Sequence, residues 1–456
     1  MKEFDLLVIG GGPGGYSAAI TAAKKGLNVA LFEKEHIGGT CLNVGCIPTK
    51  YLLDKASAME KIRTLTGSGV FKDAGLFSIK KIQQGKRETV TKLVNGVGYL
   101  LKSNKITVVN GQATLKEDKV VSANGEDYKG KSVIIATGSK PAMPRIPGIE
   151  LCLDSTGVLN LEKVPHKFVV IGGGVVGLEL ASAFASFGSE VTIVEMLPAI
   201  LGNEQPEAAR LLSSSLKKRG LEVKVGAKVK AIVKKDGALE VQVEDKGKDI
   251  AISADQVLVA VGRTPCLDGI DTAKLGLEMD GRFIKVDAHM ETSVKGIYAI
   301  GDVRGGYQLA HAAYAEADTA VANIIKPNSE ELDVSVMPRC IYTMPCFAGV
   351  GITSEQAKAK ELEPVVGSFN YEGNGMALAE GAKGSVYVIM DKAEKKTLGV
   401  QIVGENASEL ISAASFAVSQ GTTLEQWEHM IVAHPSLSEM LKEAALDAFG
   451  LAVHKN

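Results

Sequence analysis

One pattern occurs twice in this chain: a strand running into a glycine turn, then a helix, then a second strand that ends in an acid. Phe4 to Ile9 is an apolar run that reads as a buried parallel strand. It enters Gly10-Gly11-Gly12-Pro13-Gly14-Gly15, followed by an Ala-rich helical stretch to Lys25, then Gly26, then a strand from Asn28 to Phe32 that ends at Glu33. The second copy runs from Phe168 to Ile171 and through Gly172-Gly173-Gly174-Val175-Val176-Gly177. A helix to Phe187 follows, then Gly188 and a strand from Glu190 to Val194 that ends at Glu195. In both copies the first glycine lies 23 positions before the acid and 16 before the helix-ending glycine.

Each part of this unit has a physical task. The first glycine (Gly10, Gly172) turns the chain sharply out of the strand. The second (Gly12, Gly174) lets backbone approach a pyrophosphate, and the third (Gly15, Gly177) lets helix and strand pack closely. The helix N-terminus offers free N–H groups and partial positive charge to phosphates. The terminal acid accepts hydrogen bonds from a ribose. One such turn is weak evidence, but two complete units in order predict two dinucleotide sites. Glu195 would repel a 2′-phosphate, and Met196-Leu197-Pro198-Ala199 supplies no Arg to bind one, so the second site is expected to take NAD rather than NADP.

The rest of the sequence is compatible with this. At 456 residues there is room for about three domains. Lys plus Arg is 51 against 53 Asp plus Glu, with no basic excess, which argues against nucleic acid and anionic membrane as partners. The longest uncharged stretch, Leu6 to Ala23, holds five Gly and a Pro. It reads as strand, turn and helix rather than a membrane span or signal peptide, and a reducing cytoplasm is the expected location. Six cysteines do not make a disulfide scaffold.

Two of those cysteines stand close together in Gly38-Gly39-Thr40-Cys41-Leu42-Asn43-Val44-Gly45-Cys46-Ile47-Pro48-Thr49-Lys50. A bend at Gly45 would bring Cys41 and Cys46 within disulfide reach. A helix starting at Pro48 would hold Cys46 near its positive end and favour a thiolate. A zinc site would need more ligands nearby than His36, so no metal is expected. Cys152, Cys266, Cys340 and Cys346 read as small, partly buried hydrophobes, with a Cys340–Cys346 bond left as an open alternative.

The Gly38–Lys50 block, the two glycine turns and His434-Pro435-Ser436-Leu437-Ser438-Glu439 together resemble the pyridine nucleotide-disulfide oxidoreductases, in the right order along essentially the whole chain. The resemblance implies an α/β fold: two Rossmann-like dinucleotide-binding domains with a C-terminal α+β interface (dimerisation) domain. Residues 1–147 would bind FAD, 148–265 would bind NAD, 266–330 would complete the FAD site and 331–456 would form the interface. It implies that Cys46 contacts the flavin, that Cys41 exchanges with substrate, and that Lys50 lies near the flavin and pairs with Glu179. Taken alone, Glu179 reads as a helix-dipole carboxylate. Ala136-Thr137-Gly138, Asp302, Leu309-Ala310-His311, Lys34, Gly39, Thr40 and Ala113 would join Gly10, Gly12, Pro13, Gly14, Gly15 and Glu33 around FAD. Gly262 would join Gly172, Gly174, Val176, Gly177 and Glu195 around NAD.

The resemblance further implies oxidation of dihydrolipoamide, free or on the lipoyl protein of a 2-oxoacid dehydrogenase or glycine-cleavage system, by a homodimer in which each subunit lends its base to the other. His434 is the candidate base, because imidazole suits proton transfer near neutral pH. His454 is expected in a frayed tail. Glu439 has two competing readings: orienting His434, or closing a helix capping box with Ser436. The rivals are a glutathione-type reductase, a cysteine-independent diaphorase or transhydrogenase, and a non-catalytic assembly subunit. His311-Ala312-Ala313-Tyr314 and Pro345-Cys346 depart from the usual family pattern.

Overall fold

The structure, a computed structural model, describes residues 1–455. The strand Lys2–Ile9 is the centre of the first sheet, pairing in parallel with Val29–Glu33 on one side and Glu126–Ile135 on the other. Leu6, Leu7 and Val8 are fully buried, as a strand covered on both faces requires. Thr107–Asn110 extends one edge, and Val120–Ala123 with Thr114–Lys116 extends the other. The chain returns much later, when Ile297–Ala299 pairs with the C-terminal half of Glu126–Ile135. Residues on both sides of the second nucleotide unit therefore build this one sheet.

The helix Pro13–Lys24 follows the first strand with Pro at its first position and an extended Gly12 before it. Its buried face is Ala18, Ala19 and Ala22, small enough to let the helix lie against Ala317 and Ala320 of the helix Ala310–Ile325. That contact brings the segment after Asp302 back beside the first glycine turn.

The second unit repeats the plan. Lys167–Ile171 pairs in parallel with Glu190–Glu195 and with Gln256–Val259, and Glu222–Val225 closes the edge. An antiparallel meander, Ala227–Lys235, Ala238–Asp245 and Lys248–Ala254, covers one side. The last domain is a five-stranded antiparallel sheet whose central strands are Thr397–Gly404, Ser385–Asp391 and Cys346–Gly351. The helix Ala407–Ser419 packs on it, and the helix Glu439–Asp447 lies so close that a Cβ on Gly367 would sit 2.0 Å from the Ala444 carbonyl oxygen. Only glycine permits that approach, which positions the start of the helix, and with it His434 and Glu439.

Several local expectations shift. The helix placed at Pro48 begins at Cys46, because Gly45 (φ −139°, ψ −113°) makes the bend directly before it and its carbonyl accepts the Thr49 N–H at 3.1 Å. The last helix spans Glu439–Asp447. The tail is not frayed: His454 Nδ1 is 3.0 Å from Glu443 Oε1, and Lys455 Nζ is 2.6 Å from Asp447. Two carboxylates of the last helix hold it, which no local pattern announces. Among the described residues no helix is long and apolar enough to cross a membrane.

Candidate active site

The two glycine turns are built alike to the level of single hydrogen bonds. Glu33 Oε2 accepts the Gly11 N–H at 2.7 Å and its Oε1 accepts the Glu35 N–H at 2.8 Å. Glu195 Oε2 accepts the Gly173 N–H at 2.7 Å and its Oε1 accepts the Leu197 N–H at 2.7 Å. Each acid therefore braces its own turn. The carboxylate oxygens retain lone pairs for a ribose, since an ionised carboxylate offers about four acceptor sites.

Both turns fit a dinucleotide. A Cβ on Gly174 would meet nothing within 4 Å, and one on Gly12 only Gly39 Cα at 3.9 Å, so backbone faces open space where a pyrophosphate would lie. By contrast, Gly15 and Gly177 have no room: a Cβ would sit 1.8 Å from the Gly10 oxygen and 2.2 Å from the Gly172 oxygen. Gly10, Glu33, Lys34, Ala113 and Thr137 line a cleft at the C-terminal ends of the first parallel strands. This is where ligands sit in open α/β sheets. Val176 and its neighbour Val175 are exposed at the mouth of the second turn.

The cysteines sit on either side of the Gly45 bend, Cys41 in the short helix Gly39–Val44 and Cys46 at the first position of the helix Cys46–Gly67. Both are free thiols, and each acts on the acidity of the other. Their acidities split. The hydrogen bond from Cys41 lowers the Cys46 pKa against the opposing effect of burial, and the Lys50 charge lowers it further. The same hydrogen bond and burial raise the Cys41 pKa strongly. Cys46 is therefore the more acidic of the two thiols. Lys50 Nζ is 3.0 and 2.9 Å from the two Glu179 carboxylate oxygens and 4.3 Å from the centre of the Tyr342 ring. Glu179, 3% exposed, also accepts the Tyr342 N–H at 3.0 Å. It acts as a buried ion-pair partner that joins the two nucleotide domains to the last one.

Asp302 is fixed by Ser139, whose hydroxyl donates to it, and by Arg263, whose Nε donates to Ser139 Oγ at 2.6 Å. Arg263 follows Gly262 in the short strand Arg263–Pro265, which pairs with Ser139–Pro141 just after Ala136-Thr137-Gly138. Thr137 Oγ1 donates to the Cys266 carbonyl at 2.6 Å. Leu309 and Ala310 start the helix Ala310–Ile325, and His311 Nε2 lies 2.7 Å from the Pro338 carbonyl oxygen.

His434 Nδ1 is 2.9 Å from Glu439 Oε1, while Glu439 Oε2 accepts the Ser436 N–H at 2.9 Å. The two readings of Glu439 do not compete, because each uses a different oxygen. The capping box itself does not form: Ser436 Oγ has no partner, and Ser438 precedes the helix without a side-chain cap. His434 is 78% exposed, and its Nε2 has no hydrogen bond among the described residues. Burial pushes the Cys340 thiol up to about 11 and the Cys346 thiol up to about 12, and no S–S bond joins them, so the open alternative of a disulfide there is not realised.

Sequence reasoning missed Tyr16 and Tyr314, whose hydroxyls meet at 2.5 Å close to the cysteine pair. Tyr314 sits three residues after His311 on one helix, the single signal available; an aromatic there reads equally well as core. Also missed were two ties between domains. Arg339 forks onto Glu204 at 2.7 and 2.8 Å. Arg219 joins Glu60, Ser182, Ser186 and the Met344 carbonyl.

Residues 4–317 match the family described as pyridine nucleotide-disulphide oxidoreductase, and residues 337–445 match that family's dimerisation domain. Over 460 residues the chain is 42% identical to a dihydrolipoyl dehydrogenase of Thermus scotoductus, covering 100% of this chain and 99% of the relative. It is 39% identical to one of Bacillus subtilis over 459 residues, 98% of this chain and 99% of the relative. The solved Cu(II) complex of the HOCl-induced flavoprotein disulfide reductase RclA from Escherichia coli is similar with a TM-score of 0.88. It is 28% identical, over 98% of this chain and 99% of that one.

Proposed function

Because the chain belongs to the pyridine nucleotide-disulphide oxidoreductase family, we propose that it is a dihydrolipoyl dehydrogenase, oxidising dihydrolipoamide to lipoamide with NAD⁺ as final acceptor. The observation that carries this reading is geometric: Cys41 and Cys46 flank the Gly45 bend at the start of the helix Cys46–Gly67, and Lys50 on that helix is fixed by Glu179. Full-length similarity to dihydrolipoyl dehydrogenases supports the choice of substrate.

The first unit would hold FAD, which would supply two-electron transfer between the cysteine pair and a nicotinamide held by the second unit. Everything else falls to the chain's own residues. In the oxidised enzyme a Cys41–Cys46 disulfide receives the first substrate thiolate at Cys41 Sγ. An S–S bond forms there, and Cys46 leaves as thiolate, a good leaving group because its pKa is depressed. The second substrate thiolate then attacks its partner sulfur, closing the lipoamide disulfide and releasing Cys41. His434 accepts the proton of the first substrate thiol, the proton of the second passes to the Cys41 thiolate as it is released, and Glu439 fixes the ring and stabilises the imidazolium. Lys50, neutralised on one side by Glu179, holds positive charge beside the Cys46 sulfur. Asp302, Ala136, Thr137 and Gly138 would hold FAD; Glu195, with its neighbouring backbone, would hold the NAD ribose.

The exposed, unbonded Nε2 of His434 supports a homodimer in which each subunit's base enters the other's site, as does the dimerisation domain. A lipoyl protein of a 2-oxoacid dehydrogenase or glycine-cleavage system is the proposed partner. A reducing cytoplasm is the proposed location, in keeping with a sequence whose six cysteines do not make a disulfide scaffold. Steady-state turnover of dihydrolipoamide and of glutathione, each with NAD and NADP, tests the assignment. Dihydrolipoamide with NAD⁺ should dominate, and Cys46→Ser should abolish it. Preference for glutathione disulfide with NADPH, or full activity in Cys46→Ser, would overturn it.

A further inference from the structure

Two packed helices carry the two halves of the site: Cys46–Gly67, which holds Cys46 and Lys50, and Val175–Phe187, which opens at the second glycine turn. Polar ties join them at both ends. At one end is the Lys50–Glu179 pair. At the other, Ser186 donates its hydroxyl to Glu60 Oε1 at 2.8 Å, while Arg219 Nη2 donates to the same oxygen at 2.9 Å and to Ser186 Oγ at 2.6 Å. Arg219 stands at the end of a third element, the helix Pro206–Lys218. Its Nη1 donates to Ser182 Oγ at 2.7 Å and to the Met344 carbonyl at 2.9 Å, and Ser182 Oγ also accepts the Met344 N–H at 3.1 Å. One guanidinium thus gathers the first unit, the second unit and the last domain.

Between the ties, Leu53 and Ala56 of one helix and Leu178 and Ala181 of the other are buried in one apolar cluster. Apolar contact is non-directional. It keeps the helices together without fixing how far one is turned on the other. Lys50 and Glu60 are ten residues apart, about 15 Å along the helix axis. Two ties at that spacing fix the angle, whereas one alone leaves a pivot. We propose that Arg219, through Glu60, is a positioning residue for electron exchange with the nicotinamide: it is the second pin that holds the NAD unit in register with the helix bearing Cys46 and Lys50. The proposal rests on the reading of the chain as a dihydrolipoyl dehydrogenase for its second reductant only.

Hydride transfer needs reacting atoms about 3–3.5 Å apart, and a misplacement of about 1 Å made far from the chemistry can cost about 10²-fold. Thiol exchange makes no such demand on the second unit, because Cys41, Cys46 and Lys50 all lie in two adjoining helices of the first, Gly39–Val44 and Cys46–Gly67. Releasing the Arg219 pin while the Lys50–Glu179 pin stays therefore slows one half of the reaction and spares the other.

Two variants test this in the holoenzyme. Arg219→Gln removes the charge and the fork; Glu60→Gln keeps an oxygen for the Ser186 hydroxyl and removes the charge that Arg219 pairs with. In stopped-flow absorbance, flavin reduction by NADH should slow about tenfold or more in Arg219→Gln, while reduction by dihydrolipoamide stays within about twofold of wild type. Glu60→Gln should show the same split at smaller size. The double variant should be no slower than Arg219→Gln, because both changes act on one tie. Hydrogen exchange by mass spectrometry gives a readout apart from turnover. The segment 342–344, whose Tyr342 and Met344 N–H groups are held by Glu179 and Ser182, should exchange several-fold faster in Arg219→Gln. Unchanged reduction by NADH, equal slowing with both reductants, or unchanged exchange in that segment overturns the proposal. A wild-type flavin that NADH reduces and dihydrolipoamide does not would overturn instead the assigned substrate, and the NADH and exchange measurements would still decide Arg219.

Discussion

Lys50 Nζ lies 2.9 Å from a Glu179 carboxylate oxygen, although the two residues are 129 positions apart and belong to different nucleotide units. Glu179 is buried and Lys50 only partly so. Removing the lysine leaves a buried carboxylate with the Tyr342 N–H as its remaining partner.

Lys50→Met should therefore destabilise the protein by about 3 kcal/mol, the usual cost of orphaning a buried charge. Chemical denaturation of holoenzyme measures it. The same change removes the positive charge beside Cys46, so the Cys46 pKa should rise. Iodoacetamide alkylation of reduced enzyme near pH 7 should slow by several-fold, and an unchanged alkylation profile would show that Lys50 does not set the thiolate.

The two glycine turns should fail separately. In Gly177→Ala the new methyl collides with the Gly172 oxygen, and in Gly15→Ala with the Gly10 oxygen. Gly177→Ala should purify yellow yet resist reduction by NADH. Gly15→Ala should purify without flavin. Visible absorbance before and after NADH addition distinguishes them.

His434→Gln should lower kcat/KM for dihydrolipoamide by about 10² to 10⁴, the range for a lost general base. Bleaching of the flavin band by NADH should survive. Glu439 also carries a pH signature. Its folded carboxyl is held below the ordinary value, so its stabilisation is complete above that value, about 4.3, and fades as pH falls through the lower folded pKa. The stability difference between wild type and Glu439→Gln should accordingly be present at pH 6 and shrink below pH 4 in denaturant titrations.

Cofactor preference should turn on Glu195 and its exposed neighbour Met196. Glu195→Gln with Met196→Arg removes the charge that repels a 2′-phosphate and adds one that binds it, while an amide oxygen remains for the Gly173 N–H. NADP should gain at least about tenfold against NAD in kcat/KM. An unchanged ratio would locate the discrimination elsewhere.

What was legible in the sequence was local. The strand, glycine turn, helix and acid of each unit lie within about 30 residues, and the backbone demands of the turn can be met by very few residue types. The cysteine bend is likewise contained in Gly38–Lys50. Even there, the first helical residue was misplaced by two, because Gly45 rather than Pro48 sets the start. The antiparallel meander of the second unit is also local: Ala227–Lys235, Ala238–Asp245 and Lys248–Ala254 are consecutive strands joined by the two-residue turns Asp236-Gly237 and Lys246-Gly247. The five-stranded sheet of the last domain has no comparable signature, because its pairing brings Cys346–Gly351 beside Thr397–Gly404 from far along the chain.

By itself, then, the sequence determined that two dinucleotide units flank a reactive cysteine pair and that an imidazole with a carboxylate stands near the end of the chain. Tertiary structure alone decided which side chains meet. It placed Glu179 on Lys50, brought the Tyr16 and Tyr314 hydroxyls together, gave Glu439 one oxygen for His434 and one for backbone, and pinned His454 to Glu443. The physical reason is range. A glycine turn is specified by sterics between neighbours, whereas these contacts follow from how whole sheets and helices pack, down to the missing side chain of Gly367 that lets the last helix settle where it does.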